Sequence, residues 1–457
     1  MIPNILAQRY ASQELVQLFN PINKIKLERI FWINLLKIQK KHGMKVPSDV
    51  IEAYEAKVDD INLPSIEKRE KVLKHDVKAR IEEFNSLTGH QFIHIGLTSR
   101  DLTDNVELIQ IKSALISIRE KADYLLSSIK SLIYIHLETP VVARTHNVPA
   151  QLTTLGKKFA SFASELLNGL KELDHQIENL KFRGIKGAVG TQQDLCLLFD
   201  SETVLKIEKD LTSQYGFKFF DSSIGQVYPR SQDFNFISSL LFLCSSVNSF
   251  ALNVRLMSGL GYVSEFFEEQ QVGSSAMPHK INPINSERIN GLTTLLRGYC
   301  GIASEISGNQ WNEGDVSCSV VRRVIIPDSI FVVDGILISI KNILERLHIN
   351  TMTINKDIDK EGPYLASSIF LMKLVSAGLG REDAHKILKA LALKSDGDGQ
   401  KFLTLVSENC SKYLDKRFVL SIMKEKKLLI GNTIVDCKKI IKMIEEREIY
   451  SSIKEKY

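Results

Sequence analysis

Residues 105–139 read NVELIQIKSALISIREKADYLLSSIKSLIYIHLET, a run with neither glycine nor proline. Apolar residues recur at helical spacing: Leu108, Ile111, Leu115, Ile118, Ala122, Leu125, Ile129, Leu132 and Ile133. That spacing lays an apolar stripe along one helix, which at 1.5 Å per residue spans ~50 Å. A helix so long needs neighbours along its whole length. Similar runs cover about 151–183, 231–258, 285–306 and 328–347. Several are apolar on more than one face, as in Phe236, Ile237, Leu240, Leu241, Phe242 and Leu243, which fits burial on two sides and packing against other subunits. The expected fold class is all-α, with three helical domains and a central bundle of long helices.

Glycine and proline punctuate the rest. A loop from Thr88 and Gly89 to Ser99 ends a first helical region. Near His348 and Thr351 the long-helix pattern stops. Shorter helices follow, separated by Glu361-Gly362-Pro363, Gly378-Leu379-Gly380 and Asp396-Gly397-Asp398-Gly399. The expected domains are 1–104, a small N-terminal helical domain; 105–349, the bundle; and 350–457, a small C-terminal helical domain.

Composition narrows the function classes. The chain has 457 residues, 44% apolar and 25% charged, as globular proteins do. A net charge of +5 is too mild over this length to argue nucleic-acid binding, and it suits an anionic substrate. Six cysteines lie far apart with no CxxC pair, so neither a zinc site nor a disulfide frame is expected, and a reducing compartment is natural. The N-terminus does not read as a signal peptide, and no uninterrupted apolar run reaches ~18 residues. A cytoplasmic protein, without a membrane partner, is expected.

Four polar islands interrupt the helices. Residues 273–283 read GSSAMPHKINP, with two hydroxyls, a lysine and an asparagine behind a flexible glycine. Pro278 and Pro283 fix local φ and stop any helix. Such a loop suits closure over a ligand. The others are Lys74-His75-Asp76-Val77, Gly96-Leu97-Thr98-Ser99, and Arg144-Thr145-His146-Asn147 through Gln151. His146 lies on a short connection between two long runs, between Pro140 and Pro149, where a histidine can give or take a proton in a cleft. Thr98 and Ser99 open a helix, so they can cap it, and their hydroxyls and N–H groups can also hold an anion.

The eleven-residue loop resembles the signature GSSxMPxKxNP of the fumarase/aspartase lyase superfamily. Together the islands resemble the adenylosuccinate lyase family: Lys74-His75-Asp76-Val77 is similar to its RHDV, Gly96–Ser99 to GLTS, and Thr145-His146 through Thr154 to THxxPAQLTT. Phe182-Arg183-Gly184-Ile185-Lys186-Gly187 is similar to FRGVKG, and Gly225-Gln226-Val227-Tyr228 to GQTY. The likeness runs from Arg9-Tyr10 to at least Ala384. It implies a helical homotetramer whose active sites draw on three subunits, with nucleotide substrates and no metal or organic cofactor.

The resemblance also implies roles. Ser274 would be the base, supported by Ser275, and His146 the general acid. Lys280 and Asn282 suit a carboxylate that gains charge in the transition state. Lys74, His75 and Asp76, on the RHDV-like motif, would bind substrate, with His75 holding it or orienting the acid. Thr98, Ser99 and Gln226 would grip a succinyl carboxylate. Arg9, Tyr10, Arg288, Ser319 and Arg323 would hold phosphate and ribose, arginines supplying paired donors. Two positions depart from the family: Gly314 stands where an arginine is usual, and Lys74 replaces an arginine. Another cation, Arg322 or Lys74, could fill the place of the arginine missing at 314. The alternatives are a 3-carboxy-cis,cis-muconate cycloisomerase, whose loop also carries MPHK, and a non-catalytic protein on the same fold.

Overall fold

The structure, a computed structural model, describes residues 4–265, 277 and 280–454. Helix Ser99–Ile135 runs for 37 residues, about 55 Å. It begins at Ser99 because Thr98 and Asp101 form half of a capping box. The Thr98 N–H donates to Asp101 Oδ2 at 2.7 Å. Helices Leu155–Asn179, Ser231–Gly259, Ile284–Ile306 and Ser317–Arg346 follow.

Prolines mislead in two places. Helix Ser317–Arg346 starts well before the expected 328 and carries Pro327 in its interior. Proline there costs ~3 kcal/mol or more. Ile325 and Ile326 on one side, and Ile330, Phe331, Val332 and Val333 on the other, are buried, and their burial outweighs that cost. Helix Thr351–Leu365 likewise runs through Gly362 and Pro363, both buried.

The first compact unit comprises Met1–Ala122, Gly169–Ser245 and Ile289–Ile338. Leu102, Val106, Ile111, Leu115 and Ile118 are fully buried in it, as are Phe236, Ile237, Leu240, Ile330 and Ile336. Charges are buried there too, and they are paired, as burial demands. Arg230 reaches Asp104 at 3.0 Å, and Arg322 reaches Asp233 at 2.7 Å and Glu107 at 2.8 Å.

The second unit comprises Asp123–Asn168, Ser246–Arg288 and Ser339–Tyr457. It adds two short ribbons to the expected helical frame. Strand β1 (Pro140–Thr145) pairs antiparallel with β2 (Val148–Thr154), and β3 (Val263–Ser264) pairs with β4 (His348–Ile349). Phe370, Leu374, Leu388, Phe402, Val406 and Val419 form its C-terminal core.

Among the described residues, helix Ser231–Gly259 is long and apolar enough to cross a membrane, with a mean hydropathy of 1.5 over its most apolar window. Within the protein 56% of that window is buried, as in the core helix of a bundle.

Candidate active site

His146 stands at a hairpin tip, not on a loop between helices. β1 and β2 are joined by His146 and Asn147, with φ of 51° and 62°. Two left-handed residues in a two-residue connection match the twist of the flanking strands. Histidine and asparagine are among the few non-glycine residues that tolerate this backbone. The register slips between Ala143 and Arg144, leaving Arg144 opposite Pro149. Proline has no N–H for the ladder, so an irregularity there is natural. His146 is exposed. Two residues back, Arg144 Nη2 donates to Asp357 Oδ2 at 2.9 Å.

Ser274, Ser275 and His279 lie outside the described residues. What flanks them is well anchored. Glu265, only 5% exposed, accepts the Asn285 N–H at 2.9 Å and its Nδ2 at 3.0 Å with one carboxylate oxygen. The other oxygen accepts the Ser286 N–H at 2.8 Å and its hydroxyl at 2.7 Å. The carboxylate thus caps the N-terminus of helix Ile284–Ile306, where unpaired N–H groups and the helix dipole favour an anion. Sequence reasoning did not single out Glu265. Lys280 is exposed, and its N–H donates to the Met277 carbonyl at 3.0 Å. The Asn282 carbonyl accepts the Ile284 N–H at 2.9 Å. Arg288 Nη1 donates to Asn285 Oδ1 at 3.1 Å.

In the first unit, Lys74, His75, Asp76 and Arg323 converge. Lys74, with φ of 54°, ends helix Leu63–Leu73, and His75 caps the next, Asp76–Thr88. His75 Nδ1 accepts the Lys78 N–H at 3.2 Å, so a neutral ring carries its proton on Nε2. Asp76 lies 3.5 Å from Arg80 and 3.6 Å from Arg323. Burial pushes the Asp76 carboxyl up, but Arg80, the Val77 N–H and Arg323 together hold it below its ordinary range. Ser319 precedes Arg323 by one turn on the same helix.

Thr98 and Ser99 open helix Ser99–Ile135. Asp101 Oδ1 accepts N–H groups of Lys186 at 2.7 Å and Gly187 at 3.1 Å, and it pairs with the buried Arg183. Arg183 Nε in turn donates to the Gln226 carbonyl at 3.0 Å. His94, also missed in the sequence, packs edge-on against Trp32, whose Nε1–H donates to His94 Nδ1 at 3.1 Å. Burial holds the His94 ring down to about 4; Asp101 opposes this, while His75 and Lys78 add to it.

Gln226 is held from both ends. Its N–H donates to the Glu313 carbonyl at 2.6 Å, beside a cleft of about 390 Å³ lined by Ile224, Gly225, Arg230, Ser307, Gln310 and Glu313. A Cβ on Gly314 would stand 3.0 Å from Gln226 Cβ. Arg322 does not stand in for the arginine missing at 314: it is buried, committed to Asp233, Glu107, Asp104 and the Tyr228 hydroxyl. Arg9 ends helix Ile5–Arg9 and is exposed. Tyr10 packs on Gly335, where an added Cβ would come within 2.9 Å of Tyr10 Cβ. Among the described residues, no group of three or more His, Cys, Asp or Glu is placed to hold a metal ion.

Residues 25–298 match a family model described as Lyase. The chain is 33% identical to the adenylosuccinate lyase of Schistosoma mansoni, over 84% of this chain and 82% of that one. It is 32% identical to the adenylosuccinate lyase of Aquifex aeolicus, over 90% and 93%, and 28% identical to that of Pyrococcus horikoshii, over 96% and 97%. Among solved structures, the 3-carboxy-cis,cis-muconate lactonizing enzyme from Pseudomonas putida superposes with a TM-score of 0.86 at 18% identity, covering 97% of this chain and 99% of that one. A fumarate lyase from Mesorhizobium sp. BNC1 gives 0.82 at 17%, covering 96% and 99%. These two likenesses concern the fold.

Proposed function

The chain belongs to the adenylosuccinate lyase family, and on that premise we propose that it eliminates fumarate from adenylosuccinate, leaving AMP, and from the succinylated aminoimidazole carboxamide ribotide, leaving its amide. The observation that carries this reading is the agreement of relatives of one activity over most of the chain. The alternative cycloisomerase reading rests on likeness of fold alone.

The elimination breaks a C–N bond after a proton leaves carbon next to a carboxylate. That carboxylate gains a second charge in the transition state, so the reaction needs a base, an acid and anion stabilisation. Ser274 takes the proton, supported by Ser275, and Lys280 and Asn282 hold the carboxylate. A serine takes a proton only as its alkoxide, a form that neighbouring donors and a cation stabilise by lowering the hydroxyl pKa, and Lys280 is a cation of the loop. His146 returns a proton to the departing nitrogen. His75 offers Nε2–H to substrate. Thr98, Ser99 and Gln226 grip the succinyl carboxylate. Arg9, Tyr10, Arg288, Ser319 and Arg323 hold phosphate and ribose, while Asp76 steadies Arg323 and Lys74 adds local positive charge.

The proposed assembly is a cytoplasmic homotetramer with shared active sites, acting without nucleic acid or membrane partners. Exposed apolar side chains support it: Val320 and Val324 on helix Ser317–Arg346 are 71% and 50% exposed one turn apart, and Leu252 and Leu256 on helix Ser231–Gly259 are 43% and 57% exposed. An ultraviolet assay of purified protein with adenylosuccinate tests the reaction. Protein that leaves adenylosuccinate intact but lactonises 3-carboxymuconate would sink the reading. A monomer in light scattering, fully active, would sink the shared site.

A further inference from the structure

Two arms of the second unit carry the chemistry proposed above: the hairpin that presents His146, and the segment that enters the signature loop. They meet at one carboxylate oxygen. Arg144 Nη2 donates to Asp357 Oδ2 at 2.9 Å, and the Tyr262 hydroxyl donates to the same oxygen. We propose that Asp357 is a positioning residue for the elimination, fixing through Oδ2 both the strand that ends beside His146 and the stretch that leads to Glu265.

The placement supports this. Asp357 sits midway along helix Thr351–Leu365, and Leu365 packs with Val142 of β1 and Leu152 of β2. Arg144 and Asp357 side chains are each about one-fifth exposed (19%), so the pair is largely shielded from solvent. Tyr262 is tied to the same region through its carbonyl, which accepts the Asn350 N–H at 2.8 Å, and the next residue, Val263, pairs with Ile349. Three residues beyond Tyr262, Glu265 grips Asn285 and Ser286. Fixed contacts therefore run from the His146 turn through Asp357 to the root of the loop. Because one carboxylate oxygen accepts from both arms, a change at Asp357 reaches both of them at once.

The inference rests on the lyase reading, and the experiment keeps the two apart. Asp357→Asn retains an acceptor for the Tyr262 hydroxyl and removes the charge facing Arg144. Because a misplacement of about 1 Å costs on the order of 100-fold in rate, kcat on adenylosuccinate should fall roughly 10- to 100-fold with KM little changed. Amide hydrogen exchange is measured on the same full-length proteins. Residues 140–154 and 262–265 should exchange faster in the variant, and residues 105–120 should not. Arg144→Ala should behave like Asp357→Ala, and the double variant should be no worse than either. Tyr262→Phe, which deletes one hydroxyl, serves if Asp357→Asn does not fold, and should loosen 262–265. Unchanged protection in both arms overturns the proposal whatever the activity does. So does unchanged kcat in a variant of an active parent. A parent inactive on adenylosuccinate counts against the lyase reading, and hydrogen exchange then decides the role of Asp357.

Discussion

The Nδ1 atom of His75 accepts the Lys78 N–H at 3.2 Å, so one ring both caps a helix and turns its Nε2–H outward. The two jobs can be separated. Asparagine is among the best N-cap residues, whereas losing a cap costs ~1 kcal/mol. His75→Asn should melt within about two degrees of the parent, and His75→Ala should melt lower, since 1 kcal/mol shifts the midpoint of a chain this long by only a few degrees. Both should lose at least ~10-fold in kcat/KM. Full activity in His75→Asn would leave the ring with capping alone.

Gly314→Arg should raise the Michaelis constant for adenylosuccinate. A Cβ there meets Gln226 Cβ at 3.0 Å and Oε1 at 3.4 Å. Gln226 has little room to retreat, with its N–H on the Glu313 carbonyl and its own carbonyl on Arg183. A rise of about threefold corresponds to roughly 0.7 kcal/mol. Gly314→Ala is the control: if it behaves like the parent while the arginine lowers the constant, added charge outweighs crowding.

Ser274→Ala should abolish proton abstraction. A positioned base contributes 100-fold or more, so turnover should drop at least ~100-fold while circular dichroism stays unchanged. Turnover within a few-fold of the parent would place the base elsewhere.

His94 makes a prediction in pH. Its folded value is held down to about 4, against 6.5 for the free side chain. Above pH 6.5 both states are neutral and the contribution to stability is complete. As pH falls from 6.5 to 4 the unfolded chain takes up a proton that the native ring refuses, and stability is lost by up to about 3 kcal/mol. His94→Asn keeps an acceptor for Trp32 and suits the positive φ of 63° at this position. Its denaturation midpoint should fall less steeply over that interval. Parallel pH profiles would mean that the native ring titrates normally.

The long helices were legible because a 3.6-residue apolar period sustained over six or more turns fits no other structure. Their interruptions were harder to read. Pro327, Gly362 and Pro363 looked like boundaries, yet buried neighbours carry the helices through them. The His146 hairpin was hidden because its turn has no glycine and each strand carries a proline. Arg322 and Arg323 show what a motif alone leaves open. Adjacent in sequence, they point about 100° apart on one helix: the Arg322 side chain is 2% exposed and locked among carboxylates, the Arg323 side chain 69% exposed beside Asp76. Glu265 gave no signal, since its partners lie twenty residues away, beyond the loop.

The backbone at the hairpin tip governs how any mutagenesis of His146 must be interpreted. The position asks for two unrelated properties at once, a titratable ring and a residue content at φ 51°. Left-handed backbone costs an ordinary side chain about 1–2 kcal/mol. His146→Ala would therefore merge lost proton transfer with a hairpin less willing to close, and its rate deficit would overstate the chemistry. Asparagine is the fairer reference, because it keeps the bend and discards only the proton. The ratio of the two variants' rates would measure how much of the apparent catalytic contribution of this histidine is conformational.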